Sequence, residues 1–495
     1  MKMMLDPSRV DDYQRFLQVK RLPKYRIIGR SAEFPDEYAD RIGAVVAESQ
    51  SVTYDPWPGL FDYQRDIAAM AIKKRKFAVF ADCGLGKTRI MLEFARIAAQ
   101  NMKPDRRVLI VSPLMVVSQT IDECARMYGD EPGGIWLERV PSKRLNQWLA
   151  GDGHRIGITN YDAMTPEIKR GLLGALILDE SSMLKSHYGA WGRECIRLGK
   201  GLAWKLAGTG TPAPNDRIEY ANHAVLLDAF PTVNSFLARF FVNRGQTDNR
   251  WELKTHALRP FYLSLSHWSI FLSDPAVYGW RDNTEPLPPI HVHYHEIPLT
   301  PEQTELAYAQ TGALFADRAG GITSRSVLSQ IAKGNHKGRD VPSNKAAYIR
   351  GLVDSWPDES TLIWCLYNRE QEIICREFPH AASIDGSTPI DIREQLIQEF
   401  KSGIRKVLIS KPKVLGFGLN LQIATRQVFS GLQDSYESYY QCVKRSNRYG
   451  SKYPLNVHIP YTDIEKPMID TVMVKADRVE HDTREQQEIF KNVTK

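Results

Sequence analysis

The stretch VFADCGLGKTRIML, from Val79 to Leu92, decides how the rest of the chain is read. An apolar, strand-like entry runs into a glycine turn, and a lysine, a threonine and a helix-like continuation follow. Within it the octet ADCGLGKT, Ala81 to Thr88, is a phosphate-loop pattern with alanine in the first glycine's place. Gly84 and Gly86 let backbone N–H groups turn towards an anion at a helix start, with Leu85 between them. Lys87 reaches β and γ phosphates, and the Thr88 hydroxyl suits magnesium. Kinases, switches, unfoldases and nucleic-acid motors all use this cradle, so the surrounding sequence must say what the phosphates are for.

Outward from the loop, Phe77 to about Ala213 alternates short apolar strands with helical segments: KFAVFAD, RVLIVSP, RIGITN, GALILDE and AWKLAGTGTP. That alternation predicts a mostly parallel α/β sheet with ligand loops at the strands' C-terminal ends. A second series starts near Thr361 with TLIWCLYN and continues through AASIDGSTP, KVLISKP, RQVFSG and NVHIPY. The expected organisation is an N-terminal accessory segment (1–54), a first lobe (55–215), a largely helical, aromatic-rich insertion (216–340), a second lobe (341–463) and a C-terminal helix (464–495). In that last segment Ile464, Met468, Val472 and Ala476 recur every four residues, the spacing of a helix face that docks on the second lobe.

The 495 residues, 43% hydrophobic and 25% charged, have the composition of a globular protein of several domains. Neither an apolar leader nor a run of about 20 apolar residues is seen, which predicts a cytoplasmic protein without a membrane span. Six scattered cysteines form no C-x-x-C pair, so they predict reduced thiols rather than a zinc site or disulfide framework. Net charge is +7, but between residues 401 and 460 ten lysines and arginines face only Asp434 and Glu437. That stretch is either a polyanion-binding face or a solvated basic surface.

Triphosphate chemistry needs carboxylates at a neighbouring strand end. The segment ALILDESS supplies Asp179, to hold hydrated magnesium, and Glu180, to position the attacking water. Gln64 upstream either reads adenine with its two-faced amide, packed by Tyr63 or Phe61, or is a surface residue. The segment GTGTPAPND carries Thr209, Thr211 and Asn215, which either sense the γ-phosphate and couple it to the second lobe or form a plain turn.

Taken in order, DYQ, GLGKT, VSP, DESS and GTGTPAPN resemble helicase superfamily two. FADCGLGKT with LDESSMLKS looks most like phage-type DEAD/DEAH-box helicases related to the chromatin-remodelling (switch/sucrose-nonfermenting) ATPases. The resemblance implies two RecA-like lobes with a helical insertion, ATP and Mg2+ as cofactors, and a second lobe that completes the site. In QCVKRSNRYG it implies an arginine-finger motif of Gln441, Arg445 and Arg448, expected on one side of a helix. Before it, LISKPKVLGFGLNLQIAT carries Gly416 and the nucleotide-side Gly418. It also assigns a nucleic-acid path through Ser112, Pro113, Asn160, Tyr161, Gly386, Ser387 and Lys411, each of which is either a backbone contact or a structural residue of its turn. The implied function is an ATP hydrolase moving on DNA, with duplex the preferred track and single strands or RNA the alternatives. A strand-separating helicase and an ATP-gated adaptor recruiting a nuclease, methyltransferase or replication partner are the rival readings. If phage-encoded, the protein works in the host cytoplasm.

Overall fold

A computed structural model describes residues 1–43, 52–185, 189–245, 251–311, 321–415, 419–432, 434–448 and 450–494. The chain divides into two compact units, Met1–Thr284 with Asp482–Lys495, and Glu285–His481. Each contains a parallel α/β sheet, and together they are the two α/β lobes expected from the sequence.

In the first unit the described strands form a seven-stranded sheet in the order Ser269–Leu272, Lys76–Ala81, Trp204–Thr209, Leu173–Asp179, Arg107–Ser112, Ile156–Asn160, Glu138–Arg139. All neighbours run parallel. A parallel strand flanked by helices is buried on both faces, hence the unbroken apolar runs: Val108 to Val111 have no exposed surface, and Leu176 to Leu178 almost none. The register sets Phe80 beside Thr209, Asp179 beside Gly208, and Ser112 beside Asn160. The strand ends that carry the sequence motifs therefore emerge along one edge.

The second unit's described sheet has six parallel strands in the order Ile290–Glu296, Leu455–Tyr461, Arg426–Phe429, Thr361–Trp364, Val407–Ser410, Ala382–Ile384. On it packs a core that includes Leu362, Phe400, Leu421 and Val457, joined by Ile469 and Val472 of the Lys466–Thr494 helix. From Asp482 onward this helix belongs to the first unit, where Phe490 packs edge-on against Phe271 at 5.5 Å.

The stretch read as one helical insertion holds strands as well as helices. Ser269–Leu272 joins the first sheet beside the phosphate-loop strand, and Ile290–Glu296 joins the second beside Leu455–Tyr461. The fully buried SIFL run has the look of a core helix segment, because a short apolar run carries no period that separates the two. Among the described residues no helix is long and apolar enough to cross a membrane. Cys124, Cys195, Cys365 and Cys442 are buried free thiols.

One polar cluster lies inside the second unit. Glu465 binds the ammonium groups of both Lys333 and Lys345, and all three side chains are sealed from solvent. Lys345 also donates to the Ser430 carbonyl at 2.8 Å and Lys333 to the Ser329 hydroxyl at 2.9 Å. Gly431 fits against this cluster because a Cβ there would stand 2.5 Å from Lys333 Nζ and Glu465 Oε1. Against the cost of burial, the two ammonium charges hold the Glu465 carboxyl down at about 2.

Replacing one partner of a buried ion pair leaves an uncompensated charge, so Glu465→Gln is expected to destabilise the chain by about 3–5 kcal/mol. Because the folded-state value is depressed from the ordinary 4.5, the carboxylate's contribution is complete above pH 4.5 and is lost as pH falls towards 2. Urea midpoints measured from pH 7 down to pH 3 should drop more steeply for the wild type than for the variant. Equal midpoints at pH 7 would show that Glu465 holds nothing together.

Candidate active site

The phosphate loop follows from its strand. The strand is buried from Phe77 to Ala81, and the helix Lys87–Gln100 that leaves the loop is buried on every residue from Ile90 to Ala99. Only the turn between them has freedom, and glycines take its left-handed positions, Gly84 at φ +92° and Gly86 at φ +73°. Gly86 also has no room for a side chain, since a Cβ would fall 2.2 Å from Gln64 Nε2. The Lys87 ammonium curls back onto the loop, donating to the Ala81 carbonyl at 2.7 Å and the Asp82 carbonyl at 3.3 Å. Thr88 occupies the second position of the helix, partly exposed beside Lys87.

Asp179 ends the central strand and is almost wholly buried. Its Oδ2 accepts the Ser112 hydroxyl at 2.9 Å, and its Oδ1 accepts the Glu180 N–H at 3.0 Å. Burial, and after it the Glu180 charge, raise its carboxyl to about 6, against the Ser112 hydrogen bond and the Lys87 charge. A carboxylate this poorly solvated suits a nearby divalent cation. Glu180 sits at φ +47°, a left-handed conformation that costs a side chain about 1–3 kcal/mol and clusters at functional sites. Thr209 Oγ1 donates to Glu180 Oε2 at 3.2 Å, and the Thr211 N–H closes onto Thr209 Oγ1 at 3.1 Å. A Cβ on the intervening Gly210 would stand 3.4 Å from the Ala81 carbonyl and 3.6 Å from Lys87 Nζ. Phosphate loop, acidic strand end and threonine turn thus form one continuous surface. Asn215 lies further along, bonded through backbone and side chain to Glu219.

Two residues assigned to the nucleic-acid path point inward. Ser112 is fully buried and its hydroxyl is engaged by Asp179. Tyr161 is likewise buried, its hydroxyl donating to the Asp179 backbone carbonyl at 2.7 Å. Both side chains support the acidic strand end, because hydroxyls beside a buried carboxylate are taken up by its acceptors. Pro113 precedes the Leu114–Tyr128 helix, and Asn160 donates to Asp162 at 3.3 Å; both are partly exposed.

Gln64 is buried rather than on the surface. Its Oε1 accepts the Phe61 N–H at 3.1 Å, and its Nε2 donates to the Leu85 carbonyl at 3.3 Å. Tyr63 donates its hydroxyl to the same carbonyl at 3.1 Å and accepts the Asn283 side-chain amide at 3.0 Å. The Leu85 carbonyl is held on this side, while the Leu85 N–H donates to the Asp82 carbonyl at 3.4 Å and the Cys83 N–H to Asp82 Oδ1 at 2.6 Å. The segment that delivers Asn283 is clamped to the same helix start: Asp62 accepts the Arg281 N–H at 2.7 Å, and Trp280 Nε1 donates to Asp66 at 2.7 Å. Sequence reasoning missed Asn283, because GWRDN has no period and its partner lies 220 residues away. It also missed His223, a buried imidazole held 2.9 Å from the Ser181 hydroxyl and lowered by burial to about 4.

In the second unit Gln441 and Arg445 lie on the Tyr436–Ser446 helix, whereas Arg448 falls beyond its end at Asn447. The expectation that both arginines share a helix face is corrected accordingly. They converge by another route, since Arg445 Nη1 donates to the Leu419 carbonyl at 3.3 Å and Arg448 Nη1 to the same oxygen at 3.4 Å. Arg445 is buried and also bonds the Gln441 carbonyl at 2.9 Å, while Arg448 is partly exposed. Gln441 donates to Glu437 at 3.5 Å. Gly416 and Gly418 lie outside the described residues. Ile384 pairs with Ser410, so the exposed Gly386–Ser387 turn and Lys411 leave the sheet side by side. Lys411 donates to the Asn368 side chain and borders a cavity of about 180 Å3 that Tyr367, Ser435 and Ser438 also line.

No curated protein matches the sequence. Among solved structures, the Sulfolobus solfataricus SWI2/SNF2 ATPase core in complex with dsDNA aligns with 18% identity. The alignment covers 88% of this chain and 97% of that one, with a TM-score of 0.39. Residues 344–450, from the start of the Lys345–Asp354 helix through Arg445 and Arg448, match the helicase conserved C-terminal domain.

Proposed function

We propose that this chain is an ATP-driven nucleic-acid motor whose track is duplex DNA. The observation that carries the reading is the meeting, at one sheet edge, of Lys87, Asp179, Glu180 and Thr209 around a loop able to turn its N–H groups to phosphate. The helicase C-terminal match over 344–450 supports nucleic acid as the partner. The spellings FADCGLGKT and LDESSMLKS support the phage-type DEAD/DEAH branch related to the remodelling ATPases.

The chain's own groups divide the work. Lys87 leaves its loop carbonyls to neutralise the β and γ phosphates; Gly84 and Gly86 offer backbone N–H groups to them, joined by Leu85 once its N–H leaves the Asp82 carbonyl. Thr88 and, through water, Asp179 would hold Mg2+, which when bound supplies positive charge to the transferring phosphoryl oxygens. Glu180 orients the attacking water, and Thr209 fixes its carboxylate while Thr211 and Asn215 extend the coupling turn. Gln64 contributes to the nucleotide pocket beside Ala81. Gln441, Arg445 and Arg448 are the second unit's proposed contribution to hydrolysis, Arg448 being the more exposed guanidinium. Pro113, Asn160, Gly386, Ser387 and Lys411 are the proposed backbone contacts, small or cationic groups suited to phosphates without sequence preference.

Glu180→Gln should keep nucleotide binding and lose hydrolysis by roughly a hundred- to ten-thousand-fold, as removal of an acid–base group does. A fluorescent ATP analogue and a phosphate-release assay separate the two effects, and wild-type turnover in the variant would remove Glu180 from the mechanism. Tyr63→Phe deletes one of the two donors that hold the Leu85 carbonyl. It should raise KM for ATP about five-fold, near 1 kcal/mol, with kcat kept. A fall in kcat at constant KM would contradict the positioning role.

The output is tested on defined substrates. With ATP the protein should displace the third strand of a triplex while leaving a forked duplex paired, and its ATPase should respond to duplex DNA more than to single strands or RNA. Efficient fork opening without triplex displacement would replace translocation by strand separation.

A further inference from the structure

Residues 1–43 form a module with its own core. Three short antiparallel strands, in the order Lys2–Met4, Ser31–Glu33, Arg26–Ile28, cover Leu5, Val19, Leu22, Phe34 and Tyr38. It is pinned to the rest of the first unit where Tyr38 and Glu37 both meet His267, at 2.7 and 3.0 Å, and Glu37 also pairs with Lys74 at 2.9 Å. Beside these contacts opens a groove of about 610 Å3, lined among others by Lys2, Lys24, Tyr25, Arg26 and Glu33.

The charges around the groove do not balance. Lys2 sits opposite Glu33 and Glu33 opposite Arg26, so the three side chains form one row across the outer sheet face. Lys74 has Glu37, while Lys76 and Lys205 share Asp228 at 2.7 and 2.8 Å. Lys24 is half-buried near them, and among the described residues no carboxylate lies within ion-pair distance of its ammonium. Burial, then the charges of Lys74 and Lys76, pull it below the usual lysine range. Of the groove's lining residues, Lys2, Lys24 and Arg26 thus face one carboxylate, Glu33, which pairs with Lys2 at 3.7 Å, while the Met1 ammonium is taken by Asp36.

We propose that this groove binds the phosphate backbone of nucleic acid, as a contact separate from the candidate active site. The inference rests on the motor reading. Lys2 and Arg26 stand two strand spacings apart, ~10 Å, with Lys24 adjacent in sequence to the row, so the cations suit a polyanion better than a single phosphate ion. Lys76, whose charge acts on Lys24, opens the strand that Ala81 closes, roughly 16 Å from the phosphate loop and at the opposite end of the sheet. Nucleic acid held there would not compete with the triphosphate.

The test uses the full chain and a duplex DNA of random sequence, with affinity measured over a series of salt concentrations. In Lys24→Gln/Arg26→Gln the slope of log affinity against log salt should fall in magnitude by about 2, roughly one per cation removed. The ATPase rate without DNA should be unchanged, because neither residue belongs to the proposed hydrolytic machinery. Lys24→Arg/Arg26→Lys keeps both charges and should keep the wild-type slope, which separates charge from a folding defect. An unchanged slope in the Gln pair, with DNA still bound, overturns the groove and leaves the motor reading standing. If the wild-type chain binds no nucleic acid, both fall together.

Discussion

The candidate site depends on a carboxylate kept almost entirely out of water. Asp179 closes a strand in the middle of the first sheet, where burial raises its carboxyl to about 6, and the Ser112 hydroxyl, the Lys87 charge and the Glu180 N–H offset part of that cost. Ser112 and the Glu180 N–H bind its two oxygens, and Tyr161 fixes its backbone carbonyl. Removing any one of these would leave an acceptor short of a partner in a dry environment, where an unmade hydrogen bond is expensive. The left-handed turn at Glu180 follows from the same arrangement. The chain must leave the sheet immediately after Asp179, and the backbone strain is sustained by the packed strands on either side.

The second unit also keeps charge out of water. Glu465 binds both Lys333 and Lys345, and the buried Glu370 carboxylate acts on the same two lysines. Elsewhere in the unit two arginines share the Leu419 carbonyl, so a carbonyl acceptor helps to orient these cations. Guanidinium suits this because its planar donors reach a carbonyl without surrendering the remaining N–H groups.

Several features were legible before any coordinates. The loop chemistry of ADCGLGKT, the acidic strand end in ALILDESS and the apolar runs of both sheets are local patterns with local causes: glycine's freedom at positive φ, and the double-sided burial of parallel strands. Less was visible in the insertion. SIFL and IHVHYHE became sheet strands because an adjacent strand offered an open edge, a circumstance no window of sequence contains. Ser112 and Tyr161 carry hydroxyls that suit phosphate contacts, yet both turned inward because Asp179 had acceptors to fill.

By itself the amino-acid sequence determined the fold class, the order of the motifs and the residue types able to hold a triphosphate, since these follow from periodicity and from the chemistry of short segments. The tertiary structure decided which groups meet. It brought Asn283 to Tyr63 across 220 residues, set Thr209 against Glu180, ended a helix before Arg448, and set Lys24 of the N-terminal module near Lys74 and Lys76. The reason is that hydrogen bonds and charge pairs act over a few ångströms in space, and separation along the chain carries no information about that distance until the sheets have formed.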